Sequence, residues 1–229
     1  MKNLQREAKD TGALFLRYPK IGLFLFLLGL GLFLVAYISV EMHTFFYEYD
    51  QTLLDQFRIM NESLSTGFLG VVKGFGEVTS TAMGVLTALF ALLWLFQRKM
   101  RKFYLVLASV GGAELFWLLL TFLIGRSRPS EVMIFGVPLS SFPSGHIMVM
   151  TAFLGFFLYL SWLRIGSSRV RALLVLAVLI FLVIVSLDRL IVLAHYFSDI
   201  LGGFGMGLAW LVLSTSVSDH FLSSDSEPA

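Results

Sequence analysis

Cysteine is absent from this chain of 229 residues, which excludes disulfides and thiolate metal sites. Charge is scarce too, at 14% Asp, Glu, Lys and Arg against 57% hydrophobic residues. A soluble protein of this size cannot hide so much apolar surface, so lipid is the solvent for part of it. The net charge of +2 is too small to argue for nucleic acid as a partner, and the Lys and Arg gather in short flanking runs. Phenylalanine is abundant, at 23 residues, which suits lipid contact as well as helix packing. A secretory signal would have a shorter apolar region ending in small residues, so the run Ile21 to Val40 reads as a retained first span.

Six apolar segments follow, at about 21–40, 78–97, 103–124, 146–163, 170–188 and 197–217. Each approaches the roughly 17–25 residues that a spanning helix needs. They are continuously apolar and not alternating, so helices and not barrel strands are expected. The predicted fold is an all-α integral membrane protein forming one domain, residues 1–229. Basic residues cluster before the first span, at Arg98, Lys99, Arg101 and Lys102, and at Arg164, Arg169 and Arg171. With six spans these clusters share one side, which the positive-inside rule makes cytoplasmic together with both termini. The opposite side carries Glu41, Glu48, Asp50, Asp55, Glu62 and Glu77. The Ser-rich stretch from Ser214 reads as a tail, with 218–229 disordered.

Between the first two spans, Phe46, Leu53, Phe57, Met60 and Leu64 recur at helical spacing. Glu48, Asp50, Asp55 and Glu62 fall mostly elsewhere on the wheel, which predicts an amphipathic helix in the interface. It reads as a cap over the bundle or as a gate for a lipid entering from the side.

Three segments carry the chemistry, and all fall on the non-cytoplasmic side. His195 and Asp199 are four apart, which on one helix puts them on one face. The carboxylate would then orient the imidazole and leave its other nitrogen as nucleophile or base. Arg189 lies six residues earlier, so a break between it and His195 is expected. Ser144 is placed to cap a helix, Gly145 lets a ligand approach the backbone, and His146 sits in the first turn. Arg128 offers two donors to phosphate oxygens, and Pro129 ends its helix. Two imidazoles, two guanidiniums, a helix start and one carboxylate suggest phosphoryl transfer without metal. Carboxylates are too few for magnesium, and zinc lacks a third ligand, so no metal or cofactor is expected. The residues by themselves do not decide which imidazole attacks.

Arg128-Pro129, Pro143-Ser144-Gly145-His146 and Arg189…His195…Asp199, in that order, resemble the type 2 phosphatidic acid phosphatase superfamily. The family includes undecaprenyl pyrophosphate and phosphatidylglycerophosphate phosphatases, and the resemblance runs from the second span to the sixth. It implies that His195 is the nucleophile, Asp199 its orienting partner and His146 the general acid. It also implies that Arg128, Arg189, Ser144 and Gly145 bind phosphate. Two positions depart from the pattern: Thr121 stands where the family has Lys, and Asp188 where it has Ser. Arg126 is a candidate to replace the missing charge, and Asp188 either holds Arg189 or lowers the site's positive charge.

Other ionisable groups read more simply. His43 and His220 suit interfacial side chains, and Arg164, Arg169 and Arg171 suit topology anchors. Glu114, inside the third span, is either a structural carboxyl or a proton or headgroup contact. The expected protein is a multi-pass plasma-membrane enzyme that hydrolyses a lipid phosphate or pyrophosphate at the extracytoplasmic surface. A lipid phosphotransferase and a non-catalytic lipid transporter or scaffold are the alternatives.

Overall fold

The computed structural model describes residues 15, 18–130, 140–162 and 164–224, with side chains as far as 217. Its described residues form helices and no strands. In chain order these are α1 (Pro19–Glu41), α2 (Phe45–Ser63), α3 (Thr66–Phe96), α4 (Met100–Ile124), α5 (Gly145–Trp162), α6 (Ser168–Ile191) and α7 (Phe197–Ser224). All but α2 are long and apolar enough to cross a bilayer, so the chain is a multi-pass membrane protein.

Helix α3 starts at Thr66, well before the expected position 78. Ser65 accepts the Phe68 N–H at 3.2 Å and caps it, leaving only Leu64 and Ser65 as the turn after α2. Helix α4 ends at Gly125, whose φ of 68° is left-handed, and so stops before the proline expected to end it. Helix α7 runs through Ser214 to Ser224, into the stretch expected to be disordered. The hydroxyls of Ser214 and Thr215 bond to Leu211 and Val212 carbonyls within the helix, so these polar residues do not interrupt it. His220 lies outside the described side chains.

Helices α5 and α7 are enclosed by their neighbours over most of their surface, whereas α3 and α6 face outward. Helix α1 crosses α7 where Gly29 meets Gly205: a Cβ on Gly29 would lie 2.5 Å from the Gly205 carbonyl oxygen. Small residues let these backbones touch. Residues Leu107–Gly111 of α4 form a π-helical turn. The Trp210 indole N–H of α7 is shared by the Ala108 and Ser109 carbonyls there, each at 3.1 Å. Chain direction places the turns after α3 and α5, the start of α1 and the end of α7 at one end of the bundle. The three motif segments lie at the other.

Helix α2 lies across that other end. Its inward stripe includes the expected Phe46, Leu53, Phe57 and Met60, but also Asp50, which is 1% exposed. The sequence reading placed this carboxylate on the polar face.

Candidate active site

Helix α6 ends at Ile191 and α7 starts at Phe197, so His195 sits in the intervening loop. Leu193, with φ of 55°, turns the chain there. The expected break after Arg189 is present, but His195 and Asp199 do not share a helix. Asp199 lies in the first turn of α7, where its Oδ2 accepts the Tyr196 N–H at 2.8 Å. This is the acidic half of a capping box.

The His195 side chain is 1% exposed. Its Nδ1 lies 2.9 Å from the Ser141 carbonyl and 3.6 Å from Asp199 Oδ2. A carbonyl only accepts, so Nδ1 carries the proton and Nε2 presents the lone pair of the neutral ring. The orienting acceptor is therefore chiefly the Ser141 backbone, with Asp199 adding charge behind it. Burial holds the imidazole below its usual pKa; Arg128 pushes the same way, while Asp199 and the Ser141 carbonyl oppose.

Each imidazole faces a guanidinium. Arg128 Nη1 approaches His195 Nε2 at 3.4 Å, and Arg189 Nη1 approaches His146 Nε2 at 3.5 Å. The two rings are 6.5 Å apart between centroids. Arg128 is held by the Ala194 and Ser140 carbonyls, both at 3.2 Å, and burial lowers its pKa. Arg189 is held by Asp188, whose Oδ2 accepts from Nε at 2.5 Å. Of the two roles weighed for Asp188, holding Arg189 is the one the geometry displays.

Ser144 precedes α5 and its carbonyl accepts the Met148 N–H at 2.9 Å, but its side chain does not cap the helix. Its Oγ is fully buried and has no hydrogen-bond partner among the described residues. The Ser144 N–H is taken by the Asp199 carbonyl at 2.9 Å. Gly145 is packed against the indole of Trp117, which occupies the place a Cβ would need. The same indole donates to the Pro143 carbonyl at 3.1 Å. Gly145 thus makes room for Trp117 on the side where a Cβ would stand.

Arg126 does not face the two imidazoles. Its guanidinium is paired with Asp199 through Nη1 and with Asp50 through Nη2, the latter at 2.8 Å, and lies 4.0 Å over the Tyr196 ring. Burial works against its charge, but the two carboxylates outweigh burial and raise its pKa. It therefore does not replace the missing lysine as a phosphate donor, because its donors are spent on carboxylates. Thr121 is buried and donates to the Leu118 carbonyl at 2.7 Å. Glu114 faces outward from α4, and His43 is exposed beside Tyr47, at 4.3 Å between rings.

Two site contributors escaped the sequence reading. Gly76 of α3 lies against the guanidinium of Arg189, which fills the position a side chain would take. Asp50 supports the site from α2. No short-range pattern marks either residue.

Six helices long and apolar enough to span a membrane thus carry two His–Arg pairs at one end of the bundle. The sequence profile of the PAP2 superfamily matches residues 102–221, just over half of the chain. The chain belongs to the PAP2 superfamily. Among solved structures it is similar to the crystal structure of a transmembrane PAP2-type phosphatidylglycerolphosphate phosphatase from Bacillus subtilis. The identity is 21% and the TM-score 0.66, over 88% of this chain and 98% of the other. Comparison with curated proteins gave no match.

Proposed function

We propose that this protein hydrolyses a lipid phosphate or lipid pyrophosphate through a phosphohistidine on His195. The observation that carries the reading is the paired geometry: each Nε2 lies beside its own guanidinium, and the Ser144 Oγ just before His146 in the chain is buried with no hydrogen-bond partner among the described residues. Membership of the PAP2 superfamily supports it.

In the proposed reaction the His195 Nε2 lone pair attacks phosphorus, and the bond from phosphorus to the leaving oxygen breaks. His146 gives its proton to that oxygen. A water molecule, losing its proton to His146, then attacks phosphorus; the P–N bond breaks and inorganic phosphate leaves. Arg128, Arg189, the Ser144 hydroxyl and the Gly145 backbone stabilise the charge spread over the equatorial oxygens. The residues supply nucleophile, acid and counter-charge without a metal ion. The basic turns at the far end of the bundle favour an extracytoplasmic site under the positive-inside rule, in the plasma membrane. Candidate substrates are phosphatidylglycerophosphate, as named for the Bacillus subtilis protein, phosphatidic acid and undecaprenyl pyrophosphate.

The test is phosphate release from these three lipids in detergent with excess EDTA, by wild type and His195→Ala. EDTA-resistant release that disappears in the variant is expected. Activity that survives in His195→Ala, or needs an added metal, would overturn the reading; phosphate appearing only on an added lipid acceptor would make the protein a phosphotransferase.

A further inference from the structure

Asp50 belongs to a helix outside the three motif segments, yet its carboxylate is at the centre of a buried network. Its Oδ1 accepts the Ser198 N–H at 2.9 Å, and its Oδ2 accepts from the Ser198 hydroxyl at 2.5 Å and Arg126 Nη2 at 2.8 Å. Ser198 Oγ accepts from Arg126 Nη1 at 2.8 Å, and that Nη1 also donates to Asp199 Oδ1. Side chains of Asp50 and Asp199 are both 0% exposed and that of Arg126 is 9% exposed. Further along α2, Asn61 Nδ2 donates to the Ile191 carbonyl at 2.7 Å. One helix therefore satisfies an orphan N–H at the start of α7 and an orphan carbonyl at the end of α6. The loop between those two helix ends carries His195.

The charges explain why a second carboxylate is needed. Arg126 paired with Asp199 alone would cancel the negative charge behind His195. Asp50 balances Arg126, so that the trio keeps a net charge of −1 next to the imidazole. A buried charge of this kind acts in a low dielectric, where it is worth far more than in water.

We infer that Asp50 is a positioning residue for the reaction: through Arg126 and Ser198 it fixes Asp199 and the His195 loop. It also preserves the negative charge that stabilises the cationic imidazole of the phosphoenzyme. The inference rests on His195 being the nucleophile. Asp50 touches neither substrate nor reacting atoms and acts only through its partners. Helix α2 is then part of the catalytic apparatus, a fixed clamp over the His195 loop.

The experiment compares Asp50→Asn, Arg126→Gln and the double variant with wild type, using full-length protein in detergent and a lipid phosphate that wild type turns over. Asp55→Asn is the control on the same helix; Asp55 is exposed and pairs with Arg58, at 3.7 Å. Asp50→Asn is expected to lower kcat by about 10- to 100-fold, the scale on which a misplaced catalytic group registers, with KM within about threefold. The groups around His195 are Arg128 from the loop, Asp199 from α7 and the His146 ring from α5, 6.5 Å away, with Arg126 and Asp50 behind Asp199 and with Arg189 and Asp188 beyond His146. Of these only Asp50 and Arg126 are altered, so the acid limb of kcat/KM reports the charge of the trio. It is expected to move to lower pH in Asp50→Asn and to higher pH in Arg126→Gln. The double variant restores the net charge and is expected to return the limb towards its wild-type position.

A purely structural role would lower the folded fraction without that pattern of limb shifts. Wild-type kcat and limb in Asp50→Asn, with His195→Ala inactive, would overturn the inference alone. Activity retained in His195→Ala would instead overturn the reading of His195.

Discussion

Arg189 lies directly against Gly76, where its guanidinium takes the space that any side chain on Gly76 would need. The contact joins α6 to α3 at the level of the two imidazoles. It leaves Arg189 6% exposed, facing His146 on one side and Asp188 on the other.

Gly76→Ala is therefore expected to expel the guanidinium from its place and to reduce kcat/KM by about 100-fold, comparable to losing a charged stabiliser. Gly84→Ala, eight residues on in the same helix with nothing near its Cα, is expected to leave turnover unchanged. Steady-state kinetics on both purified variants check this; equal activities would show that Arg189 does not need this position.

A second expectation concerns pH. In the proposed reaction His195 attacks as the neutral ring, and burial lowers its pKa. The neutral fraction rises as pH rises through that pKa. The acid limb of kcat/KM, which reports the free enzyme, should consequently lie below the ordinary histidine value of about 6.5. A pH profile from about 4.5 to 8 on a soluble short-chain lipid phosphate checks it. A limb above neutrality would contradict the burial argument.

The helix crossing at Gly29 supplies a third expectation. A Cβ there would meet the Gly205 carbonyl and the Ala209 N–H, at 2.5 and 2.8 Å, and backbone cannot step aside locally. Gly29→Ala should cost about 1–3 kcal/mol of stability, the usual range for overpacking. Gly31→Ala meets nothing within 4 Å, so it should be neutral or slightly stabilising through helix propensity. Thermal unfolding in detergent, followed by size exclusion, separates the two.

The spans were legible because a bilayer demands long apolar runs, and only their ends shifted. Span 2 starts at Thr66, where Ser65 caps it, and not at 78, because the continuously apolar run that marks the span in sequence begins several turns inside the helix. His146 and His195 were legible because each stands in a short motif. His195 and Asp199 do come together, at 3.6 Å, but not by sharing a helix, since four-residue spacing implies one face only where the helix is unbroken. Asp50 was illegible for a different reason. Its partner Ser198 is 148 residues away and Arg126 is 76, and no periodicity records a contact of that separation. An acidic residue in an amphipathic helix reads as solvated until the structure gives it donors. Arg126 was read as a spare cation because its two carboxylates come from opposite ends of the chain.

Residues 102–221, which match the family profile, contain His146, His195 and all three motifs but neither Asp50 nor Gly76. What identifies the family and what packs behind the candidate site are thus encoded in different parts of the chain. A truncation starting at residue 102 would retain every recognisable signature while losing the surface that seats Arg189 and the carboxylate that balances Arg126. Chimeras that graft the motif half onto another protein's first two spans would inherit the same defect. In such hybrids the compatibility of α2 and α3 with the motif half, more than the motifs themselves, decides whether the site assembles.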